Sequence, residues 1–128
     1  ALVAQELGLP FVYVRSSAKG HGMQNLIEGD FSEGQKVVVI EDLVSTGGSS
    51  IKAVDALRAE GLQVLGMVSI FDYGFDVAKK NLEEAKCKLF SISDYQHLIE
   101  EAVKLGYIKE DDMESLRTWK LDPSKWNV

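Results

Sequence analysis

The feature that most constrains this chain is the run Lys36-Val37-Val38-Val39-Ile40-Glu41-Asp42. Four consecutive β-branched residues with no polar alternation predict a strand buried on both faces, as in a parallel sheet. The run ends on two adjacent acids and passes at once into Ser45-Thr46-Gly47-Gly48-Ser49-Ser50. Ile51, Val54 and Leu57 then recur every three residues, and Gly61 closes the pattern, which predicts a helix over Ile51 to Glu60.

The same alternation runs through the chain. Phe11 to Val14 reads as a strand, Leu62 to Phe71 as another, Phe75 to Ala85 as a helix and Cys87 to Ile92 as a strand. Ser93-x-x-Gln96 has the form of a capping box, ahead of a helix that carries Tyr95, Leu98, Ile99 and Ala102 on one face. Met113, Leu116 and Trp119 mark a last helix, with Trp119 and Trp126 expected to pack it on the body. Strands alternating with helices predict an α/β fold, a mostly parallel sheet flanked by helices, in a single domain over residues 1–128. The chain opens at Ala1 inside a helical pattern (Leu2, Val3, Leu7), with Gly8 as its cap, so the start reads as truncated.

Charge and composition narrow the partners. Fourteen Lys and Arg against 20 Asp and Glu give a net charge of −6 with no basic run, which disfavours nucleic acid and anionic membrane as ligands. The apolar run Val37–Ile40 is four residues long, where a membrane-spanning helix needs about 20. The one cysteine, Cys87, has no internal disulfide partner, which predicts a reducing, cytoplasmic compartment. With His21 and His97 the only histidines and Cys87 isolated, no zinc constellation is formed, and His97 reads as a partly exposed helix residue.

In open α/β sheets, ligands bind at the carboxyl ends of strands, where Glu41 and Asp42 fall. A Ser/Thr/Gly loop leading into a helix N-terminus offers unpaired N–H groups, hydroxyls and the positive end of the helix dipole, the parts of a phosphate cradle. Such a loop can also simply cap the helix; two acids between strand and loop favour the ligand reading. Neither the Walker pattern nor GxGxxG is present. Upstream, Arg15, Lys19 and His21 fall within seven residues of a Gly-containing polar stretch, a cationic cluster suited to a lid over a polyanion.

The stretch VVVIEDLVSTGGSS resembles the phosphoribosyl-diphosphate signature of the type I phosphoribosyltransferases. The loop is similar to the orotate phosphoribosyltransferase pattern R-[K/S]-x-x-K-x-H-G, which Arg15, Lys19, His21 and Gly22 match position by position, while Ser16 departs from the lysine that many members carry there. The resemblance implies transfer of the 5-phosphoribosyl group from phosphoribosyl diphosphate to orotate, in pyrimidine synthesis. A purine-type phosphoribosyltransferase and a non-catalytic sensor of the same fold are the alternatives.

The resemblance also implies roles. Glu41 and Asp42 would face the ribose hydroxyls and act catalytically with Lys19 and His21. Ser45, Thr46, Gly47, Gly48 and Ser49 would hold the 5′-phosphate, and Arg15, Lys19 and His21 the diphosphate. Magnesium would be carried by the substrate rather than by a protein site. Residues 15–30 would form a flexible catalytic loop reaching a neighbouring subunit, in a homodimer with shared sites. Ser45 and Tyr73 are the positions for orotate; Tyr73 stands where many members have an arginine, so either its hydroxyl or backbone groups would read the base. The family's N-terminal hood over the base has no counterpart within these residues.

Overall fold

The computed structural model of the 128-residue chain describes residues 1–16 and 26–125. Helix α1 (Leu2–Leu7) ends on Gly8 in the left-handed conformation, φ 62°. Strands β1 (Tyr13–Val14) and β2 (Ile27–Glu28) form a two-residue antiparallel pair. The main sheet holds β3 (Lys36–Val44), β4 (Gln63–Asp72) and β5 (Leu89–Asp94), all parallel, in the order β3-β4-β5. Between them run α2 (Gly48–Ala59) and α3 (Asp76–Glu84). Helix α4 (Tyr95–Lys104), a 3-10 turn (Glu110–Asp112) and α5 (Met113–Leu121) follow. The expected α/β architecture with a parallel sheet flanked by helices is what the chain forms.

Burial explains which face the helices take. Val39, Met67 and Leu89 stand in register across the three strands, and Met67 has no exposed surface. Val54 and Leu57 of α2, Ala78 and Leu82 of α3, Leu62 and Cys87 complete this core. Burial pushes the Cys87 thiol above its ordinary pKa, so it packs as a small apolar group.

The opposite face departs from the expectation that β3 is buried on both sides. Val38 and Ile40 of β3, Leu65 and Ile70 of β4, and Phe90 and Ile92 of β5 are all exposed, Ile92 by 78%. Every described helix that packs on the β3–β4 core comes from the other side, so the β-branched run is half covered. Leu65 lies at a bulge, where Val37 pairs with Val64 but Val38 pairs with Gly66.

Several boundaries also differ from the sequence reading: α2 starts at Gly48 rather than Ile51, so Gly48 and Ser49 of the expected loop are helical, β5 runs Leu89–Asp94 rather than Cys87–Ile92, and β1 is only Tyr13–Val14. Strand β3 continues past the acid pair to Val44, because Leu43 and Val44 keep pairing with Phe71 and Asp72. Helix α4 is capped by Asp94 rather than Ser93: β5 runs through Asp94, whose side chain accepts the His97 backbone N–H at 2.9 Å. The expected partner Gln96 instead donates to Glu100.

Candidate functional site

The acid pair stands near the carboxyl end of β3. Glu41 is half-buried, in register with Ser69 of β4, which is itself in register with Ser91 of β5. Asp42 is exposed, and its Oδ1 accepts the Leu43 backbone N–H at 2.7 Å. Neither carboxylate enters an ion pair with another described residue.

Ser45, Thr46 and Gly47 then turn the chain into α2. Gly47 is the N-cap with φ 77° and ψ −3°, a conformation that disfavours any residue with a Cβ. No side chain caps this helix, and no acid lies in its first turn. Thr46, Gly48 and Ser49 are exposed, whereas Ser50 is buried. The first helical hydrogen bond runs from the Ile51 N–H to the Gly47 carbonyl at 2.9 Å, so the first-turn N–H groups ahead of it carry no side-chain acceptor. Glu41 and Asp42, on opposite faces of β3, thus lead into a rim of Ser45, Thr46, Gly47, Gly48 and Ser49 at the sheet's carboxyl edge.

Two side chains that the sequence pattern did not single out tie α2 and its entry loop to the α3 region, one at the rim and one at the far end of the helices. Asn81 of α3 donates from Nδ2 to the Thr46 carbonyl at 3.0 Å. Arg58, near the end of α2, donates to the carbonyls of Ala85 at 2.6 Å and Lys86 at 3.1 Å. A polar residue in mid-helix and a long-range carbonyl contact leave no local signature in sequence.

Tyr73 follows β4, with its backbone N–H 3.1 Å from the Val44 carbonyl, beside the entry to the 45–49 loop. Its ring stacks on Phe75, with centroids 5.3 Å apart and an interplanar angle of 1°, and meets Phe71 and Trp119 edge-on. Tyr95 packs on Trp119 at 5.1 Å and donates its hydroxyl to the Leu116 carbonyl. Burial raises the Tyr95 pKa, which keeps that donor protonated. This aromatic cluster docks α5 against the end of the sheet, as expected for Trp119. Trp126 lies outside the described residues.

Arg15 leaves β1 with Nε and Nη2 both 2.6 Å from Oε1 of Glu28, a fork onto the neighbouring strand. Of the predicted loop 15–30, Ile27 and Glu28 are strand, anchored by Ile27 in the core. Lys19, His21 and Gly22 lie outside the described residues. A groove of about 600 Å³ between α3 and β5 holds none of residues 41–49. Its lining, from Asp72 to Ser91, holds Cys87 as a buried thiol among charged residues such as Lys79, Glu83 and Lys88, and contains neither the acid pair nor the glycine turn, so the rim is the better candidate.

A parallel sheet whose first long strand delivers two acids ahead of a glycine turn and an uncapped helix start is an α/β arrangement with free N–H groups at a strand's carboxyl end. A family model described as phosphoribosyl transferase domain matches residues 1–106. The chain belongs to the phosphoribosyltransferase family. It is similar to the orotate phosphoribosyltransferase of Porphyromonas gingivalis, 54% identical over 128 residues, covering 100% of this chain and 61% of that protein. It is 56% identical to that of Phocaeicola vulgatus, covering 100% and 60%. The crystal structure of orotate phosphoribosyltransferase from Aeropyrum pernix superposes with a TM-score of 0.71 at 34% identity, over 84% of this chain and 58% of that one. The chain thus spans about 60% of the length of the curated relatives it matches.

Proposed function

We propose that this chain is the ribose- and phosphate-binding part of an orotate phosphoribosyltransferase, working on phosphoribosyl diphosphate and orotate in pyrimidine synthesis. The observation that carries the reading is the rim itself: acid pair, glycine turn and uncapped α2 start, in a family member 54–56% identical to proteins named for that activity.

In this reading the 5′-phosphate rests on the N–H groups and hydroxyls of Ser45 to Ser49, where the helix dipole favours an anion. Glu41 and Asp42 hold the ribose hydroxyls. The C1′–oxygen bond to diphosphate breaks with its electron pair leaving on the diphosphate, a C1′–N1 bond forms to orotate, and the N1–H bond breaks with its proton passing to the departing diphosphate. Positive charge grows on the ribose between these events, and fixed carboxylates stabilise it. Arg15, Lys19 and His21 neutralise the departing diphosphate, with Lys19 supplied across a homodimer. Ser45 and the Tyr73 segment, bonded to Val44, stand at the base.

Magnesium enters bound to the diphosphate. Among the described residues no three His, Cys, Asp or Glu side chains gather as a metal cage, and two carboxylates suit a hydrated, hard cation that keeps its waters. The substrates are small molecules, and a cytoplasmic setting fits the lone buried thiol; among the described residues no helix is long and apolar enough to cross a membrane.

The test offers the full-length protein phosphoribosyl diphosphate with orotate, adenine, guanine or hypoxanthine in turn. Orotate-dependent formation of diphosphate and orotidine 5′-phosphate is the expected result. Turnover with a purine base alone, or binding without turnover of any base, overturns the assignment.

A further inference from the structure

The geometry points to Asn81 as a positioning residue that fixes the orientation of the Thr46–Gly47 peptide in the phosphate loop. The inference rests on the proposed reading of that loop and adds a residue from a different helix to its machinery.

Gly47 holds φ 77°, and a glycine passes between positive and negative φ at little cost. Nothing in the residue itself therefore prevents the preceding peptide from turning over. No side chain caps α2, so the helix start does not supply a lock either. Asn81 does. Its Nδ2 lies 3.0 Å from the Thr46 carbonyl, and only the amide's NH₂ end can donate there. In a trans peptide the C=O and the following N–H point in opposite directions. Holding the Thr46 carbonyl against α3 therefore aims the Gly47 N–H away from α3. A flipped peptide would put a carbonyl oxygen where an anion needs a donor.

The anchor is rigid. Asn81 is flanked on α3 by Ala78 and Leu82, 2% and 6% exposed in the core shared with α2. At the far end of the two helices, Arg58 ties α2 to the carbonyls of Ala85 and Lys86. Asn81 ties α3 to the loop ahead of α2, whereas Arg58 ties α2 to the residues just after α3, so only Asn81 touches the loop. This separates a positioning role from a structural one.

The experiment titrates magnesium phosphoribosyl diphosphate into the full-length wild type, Asn81→Ala, Asn81→Asp and Arg58→Ala by calorimetry, with a thermal melt of each and steady-state kinetics where turnover is present. Asn81→Ala should bind about 5–10-fold more weakly, the loss of one oriented hydrogen bond, with KM for the donor raised and kcat little changed. Its melt should shift little, since alanine is the better helix former. Asn81→Asp has nearly the same shape, so it tests the idea even if the alanine variant folds poorly. It removes the donor and faces the carbonyl with a charge, and should bind more weakly still. Arg58→Ala should melt earlier yet bind within about twofold of wild type. Wild-type affinity in Asn81→Ala or Asn81→Asp overturns the inference, and so does an equal loss in Arg58→Ala, which would mean that α3 merely loosens. A wild type that binds no phosphoribosyl diphosphate instead overturns the phosphate-loop reading, and the inference falls with it.

Discussion

Three helices here follow the carboxyl end of a parallel strand, and two of them, α2 and α4, treat their exposed N–H groups in opposite ways. Helix α4 follows β5 and satisfies itself. Asp94 caps it through the His97 N–H, and the His97 ring lies 2.9 Å from the same carboxylate oxygen. Tyr95, its first residue, is buried under Trp119. Helix α2 follows β3 and has neither cap nor first-turn acid, while the acids that could have served it, Glu41 and Asp42, sit earlier, on the strand. A side-chain cap such as Asp94 pairs a helix's own first-turn donors and leaves fewer of them for a ligand. A helix start that leaves them unpaired beside a glycine turn is arranged for an external anion. Helix α3, which follows β4, also lacks a side-chain cap but carries Asp76 in its first turn, so α2 alone of the three combines an uncapped start with a glycine turn and no first-turn acid.

The largest effect that would sharpen this contrast is on turnover. Asp42→Asn in the full-length protein should lower kcat by about 100–1,000-fold while changing donor binding far less, because the carboxylate matters most as ribose charge develops. Steady-state kinetics checks this; a raised KM with kcat intact would reduce Asp42 to a ribose contact.

The shared-site proposal comes next. Lys19→Ala and Asp42→Asn should each be nearly inactive, yet mixing them should restore about a quarter of wild-type activity, since half of randomly formed dimers carry one intact site of two. No recovery, with mixed dimers confirmed by native mass spectrometry, would place loop and acids in one subunit.

At α4 the effect should be on stability alone. Asp94→Ala should cost about 0.5–1 kcal/mol in denaturant unfolding, near the low end for a cap that is partly exposed, and leave donor binding unchanged. The pH dependence follows from two opposed shifts. The His97 backbone N–H holds the Asp94 carboxyl below its usual range, so its contribution is present above the unfolded value of about 3.9 and fades as pH falls through the lowered one. The hydrogen bond to Asp94 raises the His97 pKa, so its contribution is full below about 6.5 and fades as pH rises through the raised value. Both act together between about pH 4 and 6.5, where the difference in melting temperature between wild type and Asp94→Ala should be largest.

The smallest expected effect on stability lies on the bare sheet face. Phe90→Lys and Ile92→Lys, at the positions of widest exposure there, should change the unfolding free energy of this 128-residue chain by no more than about 0.5 kcal/mol. They should nonetheless raise the concentration at which light scattering finds it monomeric, because contiguous apolar surface drives association.

Much of this was legible in sequence for physical reasons. A β-branched run, a glycine-rich turn and a three-residue apolar repeat are local signals, and β3, the turn at 45–47 and the body of α2 follow from them, although α2 starts at Gly48, ahead of the repeat. The Asp94 cap was misplaced by one residue because strand pairing of Asp94 with Asp72, a long-range contact, delays the helix start. The expectation that β3 is buried on both faces assumed layers on each side, and burial depends on what packs there rather than on the run itself. Asn81 and the stacking of Tyr73 on Phe75 were invisible for a related reason: a single polar or aromatic residue in a helix or turn has no pattern until the fold brings its partner near.

The account's central claim is that the unpaired start of α2 receives the phosphate of phosphoribosyl diphosphate. Ser49→Asp tests it with two readouts of opposite sign. Ser49 is exposed in the first turn, so an acid there should complement the helix dipole and stabilise the fold by about 0.3–1 kcal/mol. The same charge would meet the ligand's phosphate. Calorimetric titration of the full-length variant with magnesium phosphoribosyl diphosphate, alongside its thermal melt, should show a slightly raised melting temperature and affinity reduced by at least about tenfold. A raised melting temperature with wild-type affinity would contradict the account and put the phosphate elsewhere.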